Sequence, residues 1–178
     1  MKKPSAYAVL LAAGLFLSPR LPAQPAQDVA PAEARPCESL PEYGAFDFWV
    51  GEWEVSADGE LAGTNRIQKL VEGCVLLENW TSVKGGTGKS FNYYDPGSKK
   101  WIQIWVDSQG GVIRAEGGLR GDSMILEGAH VYRNGSEELF RMTFTLLEDG
   151  SVRQFIEQSK DDGATWYVWF EGLYKKRG

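Results

Sequence analysis

Ser90-Phe91-Asn92-Tyr93-Tyr94-Asp95-Pro96-Gly97-Ser98-Lys99-Lys100-Trp101-Ile102-Gln103-Ile104-Trp105-Val106-Asp107 alternates in side-chain character on both sides of a Pro-Gly pair. Two runs rich in aromatic and β-branched residues around a turn signal read as a β-hairpin. A turn at Pro96-Gly97 pairs Asp95 with Ser98, Asn92 with Trp101 and Ser90 with Gln103. Cross-strand partners share a face. One face then holds Ser90, Asn92, Tyr94, Trp101, Gln103, Trp105 and Asp107, and the other holds Phe91, Tyr93, Ile102, Ile104 and Val106. Two indoles on an otherwise polar face suit a small-molecule cavity with aromatic walls and a few polar anchors, since paired Trp on a solvated face is unusual. The competing reading makes the aliphatic face the core and this face the outside.

The same rhythm runs through the chain in both directions. Turn signals recur at Asp58-Gly59, Glu72-Gly73, Gln109-Gly110-Gly111, Arg120-Gly121-Asp122, Asn134-Gly135, Asp149-Gly150 and Asp162-Gly163, with short alternating runs between them and no long helical period. About ten antiparallel strands are predicted, near 51–57, 61–72, 74–83, 88–95, 99–107, 111–119, 122–132, 137–147, 151–159 and 165–174. An all-β, antiparallel up-and-down barrel removes the sheet edges of such a meander; a two-sheet sandwich is the alternative. Phe46-Asp47-Phe48-Trp49-Val50 reads as a short helical turn before the first strand, plugging one end of the barrel with Trp53 pointing into its floor.

Alternation places Glu78 and Trp80 with the aromatic-polar set. An odd pair sum in the hairpin through Ser108–Gly111 would add Arg114 and Glu116; a one-residue slip would send them to the other face. A two-residue turn at Asp149-Gly150 pairs Leu147 with Val152, Phe144 with Phe155 and Met142 with Glu157, which places Arg153 and Glu157 inside as ligand anchors or as a structural ion pair. The expected ligand-binding set is therefore Glu78, Trp80, Asn92, Trp101, Gln103, Trp105, Arg114 and Glu157.

The termini and composition speak to compartment. Lys2 and Lys3, an apolar run from Ala6 to Leu17, and Leu21-Pro22-Ala23 read as a cleaved secretory signal over residues 1–23. Residues 24–42 form a Pro/Ala-rich lead, expected to be flexible, and 43–178 the domain. Losing Lys2, Lys3 and Arg20 takes the formal net charge from −5 to −8, a field unsuited to nucleic acid. The mature chain offers no apolar run long enough to span a bilayer. Cys37 and Cys74, the two cysteines, read as one disulfide in an exported chain, worth roughly 4 kcal/mol by loop closure. The expected location is periplasmic or secreted.

Motifs of chemistry are sparse. Gly85-Gly86-Thr87-Gly88-Lys89-Ser90 lacks the first glycine of a phosphate loop, since Val83 stands there, and reads as a flexible loop at the barrel mouth. The single histidine, His130, excludes any multi-histidine metal centre, and no metal is expected. It sits in a strand, as an ordinary strand residue or, by likeness to the nitrobindin barrels, a haem ligand. Glu78 and Glu157 are the carboxylates available for acid–base catalysis in the same cavity.

Phe46-Asp47-Phe48-Trp49-Val50-Gly51-Glu52-Trp53, Gly73-Cys74 with Glu78 and Trp80, Ser90–Asp95, Trp101–Ser108 and the 159–166 stretch together resemble a domain-of-unknown-function family of exported bacterial proteins. That family is similar to lipocalin-like (calycin) barrels, whose G-x-W near the first strand matches Gly51-Glu52-Trp53. The resemblance covers roughly 43–175 and implies fold and export, not an activity. Ser159-Lys160-Asp161-Asp162-Gly163-Ala164-Thr165-Trp166 matches the Asp-box, S-x-D-x-G-x-T-W, which is a structural hairpin in the families that carry it. The chain departs from the nitrobindins after Trp53, where Glu54-Val55-Ser56 replaces a glycine-rich extension, so haem is not carried over and no cofactor is expected. The resulting expectation is an exported, lipocalin-like barrel binding a small apolar or aromatic molecule. The alternatives are an enzyme using the cavity carboxylates, or a structural or partner-binding barrel with a filled interior. Oligomeric state is not legible.

Overall fold

The computed structural model describes residues 35–177. The expected signal segment and most of the Pro/Ala-rich lead lie outside the described residues. Ten strands, β1 (Gly51–Ala57), β2 (Glu60–Leu70), β3 (Val75–Ser82), β4 (Thr87–Asp95), β5 (Lys100–Asp107), β6 (Val112–Arg120), β7 (Ser123–Val131), β8 (Glu137–Leu146), β9 (Val152–Ser159) and β10 (Tyr167–Lys176), each pair antiparallel with their chain neighbours. β10 returns to β1, with Val55 opposite Tyr174, and closes the barrel. Closure satisfies both edges of the sheet, so the sandwich alternative is set aside.

Upstream of β1, two single helical turns, α1 (Pro36–Ser39) and α2 (Pro41–Gly44), are followed by a 3-10 turn at Asp47–Trp49. A proline opens each helical turn, where its missing N–H costs nothing. The order of this stretch reaches upstream of residue 43 because Cys37 is bonded to Cys74 just before β3, with Cα atoms 5.0 Å apart. The turn plugs one end of the barrel. Phe46 stacks on Trp49 at 4.9 Å and meets Phe144 and Trp101 edge-on. Trp53 is fully buried beneath it and donates its indole N–H to the Trp49 carbonyl at 2.9 Å.

Hairpin geometry decides which side chains point inward. After Asp95 the turn takes four residues: the Asp95 carboxylate accepts from the Gly97 N–H and the Ser98 hydroxyl, and Lys99 adopts a positive φ. Asp95 therefore pairs with Lys100, Asn92 with Gln103 and Tyr94 with Trp101. The expected register is displaced by two residues, which preserves every face. Ser90, Asn92, Trp101 and Gln103 are buried, whereas Phe91 and Val106 are half exposed on the outside.

Two other hairpins are displaced by one residue, which reverses the face. At Ser108–Gly110 and Glu148–Gly150 the loops hold three residues, each closed by a glycine at positive φ, and Asp107 and Leu147 donate their N–H to the carbonyls of Gly111 and Ser151. Ile104 then pairs with Arg114, Met142 with Ile156 and Arg141 with Glu157. Arg114, Glu116, Arg153 and Glu157 consequently stand on the outer face, and Ile113, Ala115, Gln154 and Ile156 replace them inside. Glu157 is held there by Arg141 at 2.8 Å and Arg153 by Glu171 at 2.7 Å. The segment from Val83 to Gly85 is a third such loop, closed by Ser82 N–H on Gly86, and Thr87–Ser90 already belong to β4.

Candidate functional site

The floor of the lumen is a chain of polar side chains, one strand handing to the next. Glu78 on β3 lies beside Ser90 on β4 and next to the β2 row that carries Asn65. The Asn65 amide donates to one Glu78 oxygen at 2.7 Å and the Ser90 hydroxyl donates to the other at 2.6 Å. The Asn92 amide donates to Ser90 and the Gln103 amide to the Asn92 oxygen, at 2.8 and 2.7 Å. Across the barrel, the Tyr174 hydroxyl on β10 donates to Gln154 on β9 at 2.6 Å. All seven side chains are buried, and the Asn65 oxygen has no partner.

Among the described residues no Lys or Arg is buried with this network. Burial disfavours the Glu78 carboxylate, and two neutral donors offset only part of that penalty, so its pKa is pushed up to about 7. Burial likewise holds the Tyr174 phenol well above its ordinary range, and the Glu78 charge pushes the same way.

Above the floor opens a cavity of about 110 Å³, with Trp80, Trp105, Trp169 and Phe170 as walls and Ile113, Phe140, Met142 and Ile156 completing the lining. Three of the walls are seated on glycines. The Trp105 indole occupies the place a Cβ at Gly88 would take, 2.0 Å from it; Trp80 does the same at Gly63 (2.7 Å) and Phe170 at Gly172 (2.5 Å). The glycines let the rings recede into the barrel wall, and the space they vacate is the cavity.

Of the expected ligand set, Glu78, Trp80, Gln103 and Trp105 line this cavity. Asn92 lies behind the floor as a hydrogen-bond relay. Trp101 is buried at the plugged end, its indole N–H on the Glu42 carbonyl at 3.0 Å. Arg114 and Glu157 are outside, for the loop-length reason above, so Glu78 and Glu157 lie on opposite sides of the wall and form no catalytic pair. Sequence reading missed Gln154 and Ile156 through the same slip. It missed Trp169 because a bulge between Val168 and Phe170 interrupts the two-residue period of β10. Tyr174 was legible in principle, two alternations beyond Phe170.

The open rim carries a second cluster. His130 stacks against Tyr132 at 4.1 Å and meets Phe140 and Trp169 edge-on, with Nδ1 3.0 Å from the Gln158 amide. Burial drives its pKa below the ordinary range against the pull of Asp107 and Glu138. Its Nε2 is buried without a partner, and a Cβ on Gly111 would lie 2.9 Å from it. His130 is not among the residues lining the cavity. Beside it, Asp161 organises the Ser159–Trp166 turn: its oxygens accept from the Ser159 and Thr165 hydroxyls at 2.8 and 2.6 Å and from the Thr165 N–H, which lowers its pKa to about 2. The box acts as a hairpin clasp. Among the described residues no three His, Cys, Asp or Glu side chains gather as a metal site, and no helix is long and apolar enough to cross a membrane. No family model matches the chain, and no curated protein matches it significantly.

Proposed function

We propose that this protein is an exported carrier or receptor for a small apolar or aromatic molecule held in the open half of the barrel. The observation that carries the reading is the cavity itself: aromatic walls seated on glycines above a buried, hydrogen-bonded polar floor. A barrel serving only as a scaffold gains stability by filling its interior, and three glycines placed under aromatic rings do the opposite. Apolar walls with a few convergent polar groups are the usual composition of a ligand site. The Cys37–Cys74 bridge supports export, because such bonds persist in oxidising compartments. Likeness to the exported lipocalin-like family points the same way. Native mass spectrometry of the protein, purified gently from the cells that make it, tests both parts. A reproducible added mass on a polypeptide beginning at Gln24 is the expected result. A bare polypeptide that also gives no tryptophan response to a panel of one-ring and short-chain compounds would overturn the carrier reading, and an intact Met1 terminus would overturn cleavage of residues 1–23.

A further inference from the structure

We propose that the lumen selects a compact organic cation, an alkylammonium whose nitrogen binds Glu78 while its hydrocarbon part rests among Trp80, Trp105 and Trp169. This rests on the reading of the cavity as a binding site and adds the charge of what it takes. Among the described residues Glu78 is the one carboxylate in the buried set, and neither Lys nor Arg is buried with it. The other titratable group facing it is Tyr174, a phenol that remains neutral. A buried carboxylate lacking a counter-charge is costly to ionise; a ligand that brings the counter-charge recovers that cost as affinity.

The hydrogen-bond arithmetic agrees. An ionised carboxylate offers about four acceptor positions and donates nothing. Glu78 receives two donors, and the neighbouring Asn65 oxygen receives none. The floor therefore has acceptors to spare, and an ammonium supplies up to three N–H donors. An anionic ligand would meet the opposite: no cation and a surplus of oxygens. Indole rings above the floor add attraction between a cation and their π faces. The space sets size. At about 110 Å³ the space is of the order of the roughly 150 Å³ apolar cavity that accepts benzene, so a short branched amine fits.

The test is a charge series on one carbon skeleton: isobutylamine, isobutanol and isobutyrate titrated at pH 8 into the wild-type protein and Glu78→Gln. Binding is read from the indole N–H resonances of the tryptophans. The expected result for wild type is amine binding at least about tenfold tighter than the alcohol, the effect of one hydrogen bond to a charged group, with isobutyrate weakest. Glu78→Gln is expected to bind amine and alcohol alike. If the alcohol binds wild type as tightly as the amine, the cation inference fails and the carrier reading stands. If none of the three shifts any tryptophan, the cation inference fails, and the carrier reading is decided by the added mass and the wider compound panel. An amine preference that survives Glu78→Gln overturns the role of Glu78, and should that variant not fold, the wild-type series decides alone.

Discussion

Glu78 holds a proton up to about pH 7 because it is buried between neutral donors, and that has a consequence for stability. An unfolded Glu ionises near the ordinary value of 4.5. Below that pH the carboxyl is protonated in both states and the contribution to stability is complete. As pH rises towards 7 the native state keeps a proton that the unfolded chain has lost, so stability falls, by about 3 kcal/mol once both are ionised. Burial of His130 contributes in the opposite sense over the same interval and does so in both proteins, so the decline is read as a difference. From pH 5 to 8 the ligand-free wild type is expected to lose stability in urea relative to Glu78→Gln and to be the less stable of the two at pH 8; a difference that stays flat or runs the other way would contradict the assignment. A second residue controls the lumen's shape. Gly88→Ala puts a methyl where the Trp105 indole lies, so the ring must swing into the cavity, at the ~1–3 kcal/mol typical of overpacking. A changed tryptophan emission and weakened uptake of any lumen ligand should accompany the loss; unchanged emission with unchanged uptake would show that the ring is not wall but plug.

Hairpins are where the sequence was most and least informative. Every strand was legible, because each is bounded by Gly, Asp or Asn and alternates within; so was the helical turn at the plug. Loop length was not, because Asp-Gly serves both a two-residue turn and the end of a three-residue loop. Taking Asp149-Gly150 as the former moved Arg153 and Glu157 from outside to inside. The 90–107 hairpin survived a wrong turn only because its error was an even number of residues. In the three-residue loops the backbone carbonyls of Gly111, Ser136 and Ser151 accept the closing N–H, a bond any residue can make and so one the sequence does not announce. Three-residue loops lean on their final glycine, which predicts a contrast. Gly135 has a φ of +84° and open space around it, and Gly118 has open space without the unusual φ. Gly135→Ala is expected to cost about 1–2 kcal/mol through backbone strain alone, and Gly118→Ala to be close to neutral. Equal melting temperatures for the two variants would mean that the loop relaxes to another turn type, and with it that register is set by the strands.

At the scale of the molecule the barrel has a closed end and an open one, and different forces hold them. The plugged end is an aromatic stack of Phe46, Trp49, Trp101 and Phe144, reinforced by Lys69 on Asp47 at 2.6 Å and by the Cys37–Cys74 bridge. The open end carries the Asp-box clasp, the rim histidine and the aromatic walls of the lumen. Tyr174 joins the two halves, its ring 6.4 Å from Trp49 and its hydroxyl on Gln154 in the floor. Ten mutually paired strands close without the disulfide, so the bridge acts on the unfolded chain and on the plug, not on the lumen. Replacing both cysteines by serine should lower the unfolding free energy by ~4 kcal/mol, the loop-closure value for 37 residues, with an unchanged far-ultraviolet spectrum. Because Trp80, Trp105 and Trp169 sit at the far end, lumen binding by the folded fraction should persist. Binding lost along with the bridge would instead show that the plug, acting through Tyr174, sets the floor on which the ligand rests.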